Sequence, residues 1–244
     1  MLDALHLSAL EIGLCGVAAV FGAVVQGAIG FGYALVIVPT LLLVAPSTVP
    51  VTPLAVATPM VLFQAWAERR ALDTGGFARM TAGRVPGTAL GAWVLSVTTS
   101  AFVAGAAGAL LLAAVAGSAI RGARRTSHGT QVAAGFASGV AGTVGAVGGP
   151  YLALAYADRS GPELRATISL AFAVGVVFSL VAIWIAGEVE RAPLQLGLVL
   201  VPATFAGLFA GRWAATRLAG RWLRPAVLAF AGAAGAFALV RALV

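Results

Sequence analysis

The sequence predicts an all-α, polytopic integral membrane protein built from two pseudo-symmetric, inverted helical repeats, each with a Gly-broken helix or re-entrant hairpin. Three observations lead there. Hydrophobic residues make up 61% of the chain and charged residues 9%, against about 25% charged in a soluble domain. Apolar runs approaching the roughly 20 residues that a spanning helix needs recur along the whole chain. Two glycine-rich interruptions of those runs stand at matching positions in the two halves.

A soluble fold of this size has no interior large enough for so much apolar surface, whereas a bilayer covers it. The 244 residues leave no room for a separate soluble domain. Residues 1–244 therefore read as one transmembrane domain, with repeat one over about 8–120 and repeat two over about 129–243. The apolar runs are roughly 8–26, 33–45, 51–67, 77–98, 100–120, 129–157, 164–187, 193–211 and 223–243. Polar punctuation such as Glu68-Arg69-Arg70 and Asp158-Arg159-Ser160 separates most of them.

The net charge of +7 comes entirely from arginine, and the chain has no lysine. The arginines sit in short loops between apolar runs, not on a clustered basic face. They speak for membrane topology and against nucleic acid. The single cysteine, Cys15, has no disulfide partner, no Cys/His metal spacing exists, and no cofactor is called for. The N-terminal stretch carries Asp3 and Glu11 and no basic residue, unlike a signal peptide.

The interruptions are Gly27-Ala28-Ile29-Gly30-Phe31-Gly32 and Gly142-Thr143-Val144-Gly145-Ala146-Val147-Gly148-Gly149-Pro150. A shift of 115 places Gly27 on Gly142, Gly30 on Gly145 and Thr52 on Thr167; a shift of 116 places Pro86, Thr88 and Gly91 on Pro202, Thr204 and Gly207. The shared order points to an internal duplication, common among transporters. Glycine weakens a helix by about 1 kcal/mol relative to alanine. In lipid, the opened backbone must also find partners in protein or in a polar cavity. Each break thus marks either a site, whose exposed N–H groups suit an anion, or close packing through small residues.

Arginine placement bears on topology. If each broken element enters and returns on one side, thirteen loop arginines share a side and only Arg191 and Arg241 lie opposite. If every run crosses, the split is nine to six. Loop arginines concentrate on the cytoplasmic side. The first arrangement is therefore expected, with six full crossings, two hairpins entering from opposite faces, and both termini outside.

The stretch Gly27-Ala-Ile-Gly30-Phe-Gly32-Tyr-Ala-Leu-Val-Ile-Val-Pro39 resembles the first signature of the TauE/SafE sulfite exporter family. Gly139-Val-Ala-Gly142-Thr-Val-Gly145-Ala-Val-Gly148-Gly149-Pro150 is similar to its second. Thr167-Ile-Ser169-Leu, Pro86-Gly-Thr-Ala-Leu-Gly91 and Pro202-Ala-Thr-Phe-Ala-Gly207 resemble its shorter motifs. The second repeat departs from the pattern at Pro150 and Tyr151, and Leu154 stands where the first repeat has Pro39. The resemblance covers about residues 20–215. It implies a multi-pass protein of the cell (inner) membrane that moves small sulfur-containing or carboxylic anions, compatible with a homo-oligomer.

The candidate substrate site lies at the midplane between the breaks: Gln26, Gly27, Gly30, Phe31, Gly32, Tyr33, Thr52, Thr143, Gly145, Gly148, Gly149, Tyr151, Thr167 and Ser169. Gln26 either donates to an oxyanion or satisfies broken backbone. Thr52, Thr143, Thr167 and Ser169 offer hydroxyls to a ligand or caps to helices. The aromatics either bind or pack. Arg84, about seven residues into its run, either snorkels to the cytoplasmic surface or forms an anion-attracting gate. With no cation placed at mid-membrane, backbone dipoles are expected to hold the anion.

No Asp, Glu or His lies in the middle of a run, so acid–base catalysis has no titratable group and proton coupling has no carrier. An inside-negative potential expels a monovalent anion with about 2.3 kcal/mol per 100 mV. A membrane enzyme, a non-transporting scaffold and a carrier of neutral or cationic solutes are the alternatives. Respectively they lack an acid–base pair, a use for the aligned breaks, and membrane carboxylates.

Overall fold

The computed structural model describes residues 7–120, 127–156, 159, 161–215 and scattered positions between 229 and 240. The termini, the Arg121–Arg125 loop, and Arg217, Arg221, Arg224 and Arg241 lie outside them, as does most of the last apolar run. Among the described residues the elements are helical throughout: α1 (Ala9–Ile29), α2 (Tyr33–Val44), α3 (Val51–Glu68), α4 (Thr74–Val97), α5 (Ser100–Ile120), α6 (His128–Gly145), α7 (Gly148–Leu154), α8 (Gly161–Ile185) and α9 (Arg191–Ala215). Short 3-10 turns precede α3 and α4. Ala9–Ile29, Pro162–Ile185 and Arg191–Ala214 are long and apolar enough to cross a membrane. The residues left outside are apolar too, including Trp66, Trp93, Trp184 and Trp213, as a lipid-facing surface requires. This is an all-α, multi-pass membrane protein.

Capping explains several boundaries. Ser8 and Glu11 form a capping box at the start of α1, Asp73 accepts from Gly76 N at the start of α4, and Ser127 accepts from Thr130 N at the start of α6. Each satisfies an N–H that the first helical turn leaves orphaned.

Glycine governs the closest helix pairs. A Cβ on Gly207 would lie 2.2 Å from Val20 O, and one on Gly211 2.2 Å from Val24 O, so α1 lies backbone to backbone along α9 and runs the same way. Likewise Gly135 meets Met80 O, Gly139 meets Arg84 O, and Gly91 lies against Val140 and Thr143, so α6 runs alongside α4 in the same direction. Small residues allow such approach where lipid supplies no hydrophobic drive.

α3 and α8 run opposite ways. Arg165, early in α8, pairs with Glu68 at the end of α3, while Val51 and Ile183 from their other ends line one cleft. The molecule thus has a Glu68 end and a Glu188 end. Arg69 and Arg70 follow Glu68; Arg79, Arg159, Arg165 and Arg212 also lie toward that end, whereas Arg191 starts α9 at the other. α1 follows α9 toward the Glu68 end, and α2 returns to Pro46–Pro50 in the Glu188-end cleft. α6 follows α4 toward the Glu188 end, and α7 returns to Tyr156, whose hydroxyl donates to Asp73. The two hairpins enter from opposite ends.

Candidate functional site

The first break is a backbone turn closed by amides. Gly30 (φ 96°) ends α1 and Gly32 (φ 117°) precedes α2, both in the left-handed region that glycine alone adopts without cost. Gln26, 3% exposed, spans the gap: its Nε2 donates to Gly30 O (3.1 Å) and to Gln64 Oε1 (3.1 Å), and its Oε1 accepts from Tyr33 N (3.2 Å). Gln64 of α3 donates back to Gln26 O at 3.3 Å. Of the two roles open to Gln26, this geometry realises the satisfaction of broken backbone, with both amide hydrogens engaged. Gly27 packs on the α9 backbone at Leu208, and Gly30 lies under the aliphatic stem of Arg165.

The second break is built differently. α6 ends at Gly145, Ala146 takes the left-handed conformation (φ 56°), and Val147 N donates to Ala141 O. Gly145 itself lies against Ala107 of α5 with no positive φ, so packing accounts for it where backbone conformation accounts for Gly30. Ser138 of α6 donates to Gly148 O (2.8 Å), and Thr143 shares a 2.9 Å hydrogen bond with Ser179 of α8 and reaches back to Gly139 O. Phe31 of the first break approaches Gly149, where an added Cβ would stand 4.0 Å from the phenylalanine Cβ, so the breaks adjoin.

Arg84 lies at the second break. Its side chain is 1% exposed and inside the protein, ten residues past the start of α4, about 15 Å along the axis. The snorkelling expectation gives way because α4 begins three residues earlier than its apolar run, and because glycines of three helices make room. A Cβ on Gly175 would fall 1.6 Å from Arg84 Nε; those on Gly142 and Gly148 would fall 3.0 and 3.3 Å from Nη2. Nη1 donates to Ser138 Oγ at 2.9 Å, and the guanidinium carbon lies 5.4 Å from the centre of the Phe172 ring. Among the described residues Nε and Nη2 have no hydrogen-bond partner, and neither does the nearby Thr88 hydroxyl one helical turn along α4. The guanidinium thus lies inside the helix bundle, where the sequence reading placed no cation.

The remaining candidates disperse. Thr52 donates to Pro193 O (2.7 Å) and Thr167 accepts from Asp73 N (3.0 Å), so each ties the start of a neighbouring helix and caps none of its own. Tyr151 donates to Leu110 O of α5 at 2.8 Å. Ser169 and Tyr33 are buried; neither hydroxyl meets hydrogen-bond geometry, although Thr204 lies beside that of Tyr33. Gln64, Ser138, Phe172, Gly175 and Ser179 were not singled out in the sequence. The 115-residue shift carried a signal for two of them, since it places Gln64 on Ser179.

Two clefts flank this core. One of about 530 Å³ at the Glu68 end is lined by Asp73, Arg79, Arg159 and Glu163, and one of about 260 Å³ at the other end by Leu95, Thr98, Ile183, Glu188 and Glu190. α4 carries Arg79 into the first cleft and Leu95 into the second, with Arg84 between. α8 does the same with Glu163, Phe172 and Ile183. Among the described residues no group of His, Cys, Asp and Glu is arranged to hold a metal.

Helices broken at glycine inside a membrane core, with a cleft at each end, define the class of polytopic membrane transporters. The chain belongs to the sulfite exporter TauE/SafE family, whose model matches residues 14–238. No curated protein and no solved structure matches it significantly. The family is one of membrane exporters, so the setting is the bilayer and the cargo class is anionic.

Proposed function

We propose that the protein is a permease of the cell membrane for small organosulfur or carboxylate anions, and that the anion's charge is held at Arg84 beside the second break. The carrying observation is the fully buried guanidinium with Nε and Nη2 unpartnered. Those two N–H groups point along one edge of the planar fork, the edge that grips two oxygens of a carboxylate or sulfonate. A buried charge is costly unless paired, and among the described residues no carboxylate pairs with Arg84. An anion entering from either cleft supplies the missing acceptors.

The same reading takes the chain as an inverted duplication. It is supported by the exchange of packing partners under the repeat shift: α1 of the first repeat lies along α9 of the second, and α6 of the second lies along α4 of the first. The set of candidate ligands narrows accordingly: Gln26 and Gly30 shape the first wall, while Arg84, Thr88 and the backbone near Gly148 face the anion.

The test is thermal stabilisation of purified protein by a panel of sulfite, sulfonates and carboxylates. Ligand at a hundred times Kd adds about 2.7 kcal/mol. Stabilisation in the native protein that vanishes in Arg84→Met, at comparable yield and monodispersity, supports the site. Equal stabilisation of both sinks it.

A further inference from the structure

Resting on the reading of Arg84 as the anion's partner, we infer that the site selects by charge number: it takes monoanions and rejects dianions of the same shape. Among the described residues, the guanidinium is the single formal charge that the contacts place at this site. From α4, Asp73 and Arg79 lie at the helix start, where they line the Glu68-end cleft. α6 offers only His128, at its first position, and α7 only Tyr151, which is bound to α5. α8 offers Glu163 and Arg165 in its first turns. What faces Arg84 is Ser138, Gly142, Gly148, the Phe172 ring and Gly175. One negative charge therefore makes the loaded chamber neutral. A second would be buried without a counter-charge, against a phenylalanine ring and glycine backbone, and an unpaired buried charge is strongly disfavoured. The Thr88 hydroxyl, buried and unpartnered one helical turn along α4 from Arg84, supplies a neutral donor, which adds to an oxyanion's hydrogen bonds without adding charge.

Methanesulfonate and sulfate separate charge from shape, because they are tetrahedral, similar in size and differ by one unit of charge. Both are titrated into the full-length protein in detergent at constant ionic strength, read by thermal shift and by isothermal calorimetry. Methanesulfonate is expected to bind at least tenfold more tightly than sulfate. Arg84→Lys, which keeps the charge and loses the fork, is expected to weaken methanesulfonate while retaining the preference. Equal affinity for the two anions, or tighter sulfate, overturns the charge-number inference and leaves the Arg84 site standing. Binding of both anions unchanged in Arg84→Lys and Arg84→Met, or no binding of either, overturns the site and the inference together.

Discussion

The two helix breaks occupy matching places in the chain and are finished in opposite ways. At the first, two neutral amides clasp each other and the loose backbone: Gln26 holds Gly30 O and Tyr33 N, and Gln64 holds Gln26. At the second, a cation stands in the chamber with part of its hydrogen-bonding edge unused. The exchange is one of volume as well as charge. Arg84 shifts by 116 onto Leu200, and Gly175 falls back by 115 onto Met60; Leu200 and Met60 are both buried. At the second break a long cation meets a missing side chain, while the two matching positions carry buried apolar side chains. Ser138 and Thr143, which serve the second break, correspond to Ala23 and Ala28 in the first. A break sealed by its own neighbours holds shape; a break with a vacant donor edge holds a ligand. On this reading one architecture supplies a wall and a site.

The comparison breaks most severely if the second chamber is filled. Gly175→Met is expected to abolish stable expression, because a Cβ alone falls 1.6 Å from Arg84 Nε, and overpacking of a rigid core costs about 1–3 kcal/mol or more. Adding Arg84→Leu, which copies the first half, should restore a monodisperse protein that no anion stabilises. Size-exclusion profiles and thermal shifts of the single and double variants measure this; a double variant that still responds to methanesulfonate would show that the charge is held elsewhere.

Removing the clasp comes next. Gln26→Ala leaves Tyr33 N, Gly30 O and Gln64 Oε1 without their partner, each worth about 1–3 kcal/mol when buried. The melting temperature should fall sharply, with anion affinity changing less than in Arg84→Met. A double-mutant cycle with Gln64→Ala is expected to give a coupling of about 0.5–3 kcal/mol; strict additivity would deny the clasp.

The glycines provide a finer contrast. Gly30→Ala forces a Cβ into the left-handed region, at about 1–2 kcal/mol, and into the stem of Arg165. Gly145→Ala requires only a few tenths of an ångström from Ala107. Thermal melts should rank Gly30→Ala well below Gly145→Ala, and equal losses would erase the distinction between a conformational and a packing glycine.

The smallest effect concerns the exit of the second hairpin. The hydroxyl of Tyr156, followed by the N–H of Gly76, holds the Asp73 carboxyl below its ordinary value. A depressed carboxylate contributes stability that is present above its unfolded pKa, about 3.9, and is lost as pH falls through the folded value. Tyr156→Phe should therefore lower stability at neutral pH, with the deficit shrinking as pH falls below about 4, so that the acid limb of the stability profile flattens. An unaltered acid limb would remove Asp73 from the account.

Much of this molecule was legible in the chain. Composition and run length fixed a helical membrane protein, because a lipid environment demands long apolar segments with internally bonded backbone. The glycine clusters located both breaks to within a residue or two, because positive φ and close backbone approach exclude most side chains. The order of motifs led to the family. What the chain concealed was which polar groups would be left over. Gln26 and Gln64 lie 38 positions apart, and only the local approach of α3 to the end of α1 turns two ordinary amides into a clasp. Arg84 looked like a residue near a helix end; α4 begins earlier than its hydropathy suggests, and three glycines from α6, α7 and α8 enclose the guanidinium. A side chain's partners are set by which helices come within a few ångströms of it, so local sequence could announce the breaks, but tertiary structure alone decided which of them carries the charge.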